Sequence, residues 1–323
     1  MDKILVKEAR RGMNRVGVTM LIYYALMNVV SIIVLVADLI VYMAQTASQG
    51  MPLSMDDMIE YVMDGAANNG WMYIVSIAAG LLVVLLWKGR GYWRREVFVR
   101  NKPMTLGSFL SLLCVFLSAQ FFFQLFSLAL EWLLNVFGYS AMTAMELATT
   151  TGSTFSMFIY ISFLGPIAEE LLFRGIVLRT LQPWGKQTAI ILSALVFGLF
   201  HGNVVQIPFA FAVGVVLGYV AMEHSIIWAI VLHIINNFVI ADLLTRLVEL
   251  LPESAGILLE NAIFLIAATV AVVVLSVRGS EVAAYFKENR IPRVARRGAV
   301  TSVALIIFAV LMLAASLLTI TPL

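Results

Sequence analysis

The chain has 323 residues, 62% of them hydrophobic and 12% charged, with a mean hydropathy of +0.97 and a net charge of +2. A soluble domain is about 25% charged and has too little interior to hide such an apolar surplus. A soluble enzyme, a disordered chain and a nucleic-acid-binding domain are therefore excluded. The single cysteine, Cys114, rules out a disulfide framework and a cysteine-based zinc site, and within its apolar run it reads as a packed thiol.

An apolar run of about 20 residues crosses a bilayer as a helix. Taken in chain order, nine runs qualify: 16–44, 71–88, 106–137, 153–182, 187–203, 206–222, 225–250, 257–277 and 299–320. None shows the alternating pattern of a membrane β-barrel. The expected fold class is all-α, a polytopic transmembrane helical bundle of 8–9 spans. The first run is too long for a signal peptide and lacks a small-residue cleavage site. In the third, Phe121, Phe122 and Phe123 read as lipid-facing or packing residues.

The basic residues are sharply partitioned. The N-terminal tail up to Arg15, the segment Lys88 to Lys102 and the segment Arg278 to Arg297 hold 17 of the 21 lysines and arginines. The loop 45–70 has none and carries Asp56, Asp57, Glu60 and Asp64. The positive-inside rule then puts the N-terminus in the cytoplasm and the acidic loops outside. The expected location is an integral protein of a bacterial cell membrane.

Ionisable residues deep in a bilayer are expensive and mark function by default. Asp38, Glu131, Glu249 and Glu260 lie near span ends, Asp242 has Arg246 four residues on, and His224 sits in a short turn; all six read as structural. Four segments in the second half are different. Glu169 and Glu170 are adjacent within an apolar helix just after Gly165-Pro166, and Arg174 follows Glu170 at the spacing of a helical ion pair. Arg174 can thus neutralise one carboxylate while the other points about 100° away. His201 stacks over Phe197, with Gly198 and Gly202 offering a small-residue surface for a neighbouring helix. Gly214 and Gly218 repeat that spacing on a scaffold helix. His233 and Asn237 share a face, from which Asn236 turns away.

Counted from the cytoplasmic ends at 1.5 Å per residue, Glu169 lies about 20 Å deep, His201 about 21 Å and His233 about 12 Å. These depths suggest one pocket open to the cytoplasm. Its carboxylates, imidazoles and amide suit attack of water on a carbonyl, either carboxylate-activated or metal-assisted.

The order Glu169-Glu170…Arg174, Phe197…His201, His233…Asn237 resembles the CPBP family of intramembrane proteases, which includes the type II CAAX prenyl endopeptidases and bacterial Abi-type relatives. The likeness covers about 153–240. It divides the chain into N-terminal helices without a motif (1–150), catalytic core helices (151–250) and C-terminal helices (251–323). The resemblance implies an intramembrane endopeptidase acting near the membrane, CAAX-processing-like, with Glu169 as general base beside His201. His233 and Asn237 would then stabilise the oxyanion or hold a metal, and Glu170, Arg174 and Phe197 would support the site. Zinc held by Glu169, His201 and His233 is one implied cofactor; a metal-free glutamate mechanism is the alternative. The implied partners are the lipid bilayer and a membrane-associated peptide or lipidated protein substrate, with no nucleic acid. The competing readings are a non-proteolytic immunity or scaffold protein of the same family and a transporter. Against the transporter stands the single Gly-Pro break, where two matching ones are expected.

Overall fold

In the computed structural model, which describes residues 2–149 and 152–323, helix α1 (Asp2–Ser48) runs unbroken for 47 residues. That is about 70 Å, more than a bilayer needs, so its basic first turns project beyond the apolar part. Helix α2 (Met55–Asn68) opens on a reciprocal cap in which Ser54 and Asp57 satisfy each other's backbone N–H groups. Asn69 caps α3 (Gly70–Tyr92), which turns sharply at Gly89, where φ is +71°. Beyond a π-helical turn at Trp93–Val97, Thr105 caps α4 (Leu106–Val136). A two-residue strand, β1 (Tyr139–Ser140), and the short α5 (Met142–Thr149) complete this part. The expected boundary between residues 150 and 151 lies outside the described residues.

The next helices are α6 (Phe155–Ile159), α7 (Gly165–Leu172) and α8 (Leu178–Leu181), joined end to end by π-helical turns at Tyr160–Leu164 and Phe173–Val177. The Gly-Pro pair does not break the chain's helical path. Pro166 has no N–H to give, and the helix widens by one residue so that Gly165 donates to Tyr160 instead. After Gly185 come α9 (Lys186–Phe200), α10 (Gln206–Glu223) and α11 (Ile226–Ile234), the last continued by π-helix Ile235–Leu244 and α12 (Thr245–Glu249). Helices α13 (Glu253–Val277), α14 (Gly279–Glu288), α15 (Arg293–Val300) and α16 (Val303–Leu317) follow. Strand β2 (Thr321–Pro322) then pairs antiparallel with β1.

The fold is all-α, as expected. Among the described residues six helical segments are long and apolar enough to cross a bilayer, and α15 with α16 make a seventh only as a pair bent by 61°. The expected span 153–182 is the π-interrupted series α6 to α8, and the expected span 187–203 is the 15-residue α9. Length and apolarity alone thus support fewer crossings than the nine runs suggested.

Small residues bring α9 and α10 together. A Cβ on Gly198 would sit 2.7 Å from the carbonyl oxygen of Ile207, and one on Gly214 3.2 Å from Cα of Ala194. Gly202 is not part of that surface: it lies past the end of α9 with φ of +55°, turning the chain toward α10. The core beside this contact holds Leu172, Phe173, Phe197 and Leu217, and extends to Met13 and Met20 of α1 and Phe308 of α16. It draws on all three expected segments of the chain.

The bundle has two unlike ends. At one, the N-terminal residues, the 88–102 segment and α14 with α15 bring the basic residues together. Buried Glu223 fastens this basic end: its carboxylate lies 2.6 Å from Lys186 Nζ and 3.2 Å from Lys102 Nζ, and accepts from the Tyr285 hydroxyl at 3.0 Å. His224 beside it bonds the Lys102 carbonyl and plays the expected structural part. The other end carries acidic α2, α5 and the 201–206 turn.

Candidate active site

Helix α7 holds Glu169 and Glu170 on different sides, as a step of about 100° requires. The Glu170 side chain is fully buried, whereas that of Glu169 is 26% exposed. Glu170 Oε1 accepts from Arg174 Nη1 at 2.8 Å and lies 2.9 Å from His233 Nδ1. Arg174, also fully buried, donates in addition to the Gly214 carbonyl at 3.1 Å and rests over the Phe197 ring at 4.4 Å. The scaffold helix therefore contributes a backbone acceptor to the site as well as a close approach. A buried arginine without such partners would be costly.

His233 is held between two carboxylates. Its Nδ1 faces Glu170, and its Nε2 lies 3.7 Å from Glu169 Oε2, beyond hydrogen-bond reach. Phe197 packs edge-on against both His201 and His233, at 4.9 and 5.8 Å. His201 sits at the C-terminal end of α9, with Nδ1 2.9 Å from the Phe197 carbonyl. A carbonyl oxygen only accepts, so Nδ1 carries a proton, and in the neutral ring Nε2 is the acceptor.

Asn237 donates to the Ile161 carbonyl at 3.0 Å. Asn236 does not turn away: it donates to Asn237 Oδ1 at 3.0 Å and accepts from Gln120 Nε2 at 2.8 Å. The face expected from an α-helical step fails here because the chain turns π-helical from Ile235.

These groups line one cavity of about 780 Å³ whose wall includes Glu169, His201, His233, Asn236 and Asn237. Its inner wall contains Phe116, Phe197 and Val213, all buried, and its rim includes exposed Ala67, Leu147 and Thr149. The opening expected at the basic end, the end read as cytoplasmic from the sequence, is thus corrected. The mouth lies at the acidic end: the exposed rim residues Ala67, Leu147 and Thr149 belong to α2 and α5, and His201 sits at the end of α9 remote from Lys186. Counting depth from the basic ends sets the three groups in one layer, but it carries no information on how the helices pack at either end.

Sequence reasoning missed Gln120, Asn236 and Glu260. Gln120 and Gln124, two amides four residues apart in the most aromatic stretch of α4, both line the cavity and were a visible signal. Phe122 is exposed as expected, whereas Phe123 lines the cavity and packs against Phe209. Glu260 also lines it, through α13. Asp242 pairs with Arg246 at 2.9 Å as the spacing predicted.

The donor chemistry of Glu169, His201 and His233 suits zinc, but their arrangement does not. Among the described residues no three His, Cys, Asp or Glu side chains converge closely enough to hold a metal ion. What the arrangement offers is a partly exposed carboxylate, an imidazole held through Nδ1, a second imidazole fixed by a buried carboxylate, and an amide.

Residues 151–239 match the family model described as type II CAAX prenyl endopeptidase Rce1-like. The matched segment contains all three motifs, supports membership of the CPBP family and supports an intramembrane protease function at the level of that family. Neither a curated protein nor a solved structure gave a significant match.

Proposed function

We propose that this chain, with a type II CAAX prenyl endopeptidase Rce1-like domain at residues 151–239, is an intramembrane endopeptidase that uses Glu169 to activate water. The observation that carries the proposal is the division between the two carboxylates. Glu170 is committed to Arg174 and His233, while Glu169 lines the cavity with His233 Nε2 3.7 Å away and His201 in the same wall.

In the proposed reaction Glu169 takes a proton from water as the oxygen attacks the scissile carbonyl carbon. His201 Nε2 accepts the second O–H and orients the nucleophile. Negative charge then develops on the carbonyl oxygen. The second N–H of Asn237 is available to it, and so is Nε2–H of His233 when that ring carries both protons, with Nδ1–H on Glu170. Preorganised donors of this kind lower the barrier because they need no rearrangement as charge appears. The carbon–nitrogen bond breaks as Glu169 returns its proton to the leaving amine. Glu170 positions His233 much as a buried carboxylate orients the histidine of a hydrolytic triad. The substrate class proposed is a membrane-associated peptide or lipidated protein.

Purified wild type and Glu169→Gln, assayed in proteoliposomes against membrane-anchored peptides, test the reading. Cleavage by wild type and none by Glu169→Gln supports it. Equal cleavage by both removes Glu169 from the mechanism, and no cleavage by either favours the immunity or scaffold reading.

A further inference from the structure

The proposed catalytic cavity opens at the end of the bundle opposite the basic residues. Its rim comes from the last turn of α2, which supplies Ala66 and Ala67, from α5 and from Thr319 after α16. Tyr73, Gln206 and Phe209 line it from the first turns of α3 and α10. Those two helices end at Lys88 and Arg90 and at Glu223, which binds Lys102 and Lys186. At the closed end lie the segments that hold 17 of the 21 lysines and arginines. Basic segments flanking spans are retained in the cytoplasm.

Taken with the peptidase reading, on which it rests, this geometry leads us to infer that the site is reached from outside the cytoplasm and takes an extended, uncharged or cationic peptide segment presented on that side. The chemistry of the wall fits such a ligand. Among the described lining residues the carboxylates are Glu169 and Glu260, and none is a lysine or arginine. An anionic segment would find no lysine or arginine in that wall to pair with. Helix α2, which ends at the rim, adds Asp56, Asp57, Glu60 and Asp64 and has no basic residue. Charges of one sign around a cleft concentrate ligands of the other.

The test begins from Cys114→Ala, which leaves the chain free of cysteine. Single cysteines are placed at exposed Leu147 and Thr149 on the rim and at exposed Arg290 at the basic end. Intact cells are then treated with a membrane-impermeant maleimide. We expect Leu147→Cys and Thr149→Cys to react in intact cells, and Arg290→Cys only after permeabilisation. The opposite pattern overturns the inference. A bulky maleimide on Leu147→Cys should also suppress cleavage of a peptide added outside sealed right-side-out vesicles; unchanged cleavage shows that substrate uses another route. A lysine-flanked peptide should be cleaved on the order of tenfold faster than its glutamate-flanked counterpart at low salt, and equal rates refute the charge preference. Rim labelling in intact cells with no cleavage from either side refutes the peptidase reading and leaves the outward opening standing. Cleavage only from the basic side of inverted vesicles does the reverse.

Discussion

Glu170 Oε1 lies 2.9 Å from His233 Nδ1 although 63 residues separate the two in sequence. The same oxygen accepts from Arg174 at 2.8 Å, so one buried atom ties the α7 motif to the α11 motif.

Arg174 and Glu169 should fail in different ways. Arg174→Ala leaves fully buried Glu170 with His233 alone, and breaking a buried pair costs about 3–5 kcal/mol. A markedly lower melting temperature in detergent is expected. Glu169→Gln removes a partly exposed carboxylate with no tight partner, and should melt within a few degrees of wild type while losing cleavage. Equal destabilisation of both variants would contradict the division of labour.

Asn237→Ala should slow turnover by about 10²–10³ with little change in KM, the usual consequence of losing an oxyanion donor. Asn236 touches Asn237 Oδ1 and Gln120, so Asn236→Ala disturbs the donor's orientation. It should cost turnover less than Asn237→Ala but measurably more than nothing. A silent Asn236→Ala would show that the amide chain from Gln120 has no part in positioning.

Removal of metal should leave cleavage intact. The enzyme is dialysed against a strong chelator, and kcat/KM is measured before and after zinc is returned. Activity that disappears and comes back with zinc would show that Glu169, His201 and His233 close around an ion, an arrangement they do not adopt here.

The basic end should loosen at high pH. Burial, and then the charge of Glu223, hold the Tyr285 hydroxyl above its usual value of 10.0. A tyrosine raised in the folded state lends stability that is fully present below about pH 10, where the unfolded chain's tyrosine is still neutral. That contribution is lost as pH climbs further, because the unfolded state releases its proton first. Tyr285→Phe should therefore have a flatter stability profile above pH 10 than wild type, measured by denaturation at fixed salt. Identical profiles would locate the alkaline sensitivity elsewhere.

Composition alone determined that the chain is a helical membrane protein, because so much apolar surface has no other way to leave water. The i,i+4 spacing determined the Glu170–Arg174 and Asp242–Arg246 pairs, since a helix fixes which side chains meet within one turn. Residue type and order marked Glu169, His201, His233 and Asn237 as one constellation. Tertiary structure decided what lies between helices: that Glu170 holds His233, that the Gly214 carbonyl holds Arg174, and that Gln120 reaches Asn236 from α4. It also decided which end of the bundle the cavity opens toward. Depth counted along single spans led to the wrong end, because it does not register how the helices pack: Phe116, Phe197 and Val213 are buried in the inner wall, whereas the rim residues Ala67, Leu147 and Thr149 are exposed. The place of Asn236 was equally hidden, because the π-helical turn that brings it to the cavity shifts the face of the helix by one residue, and no local spacing rule records that shift.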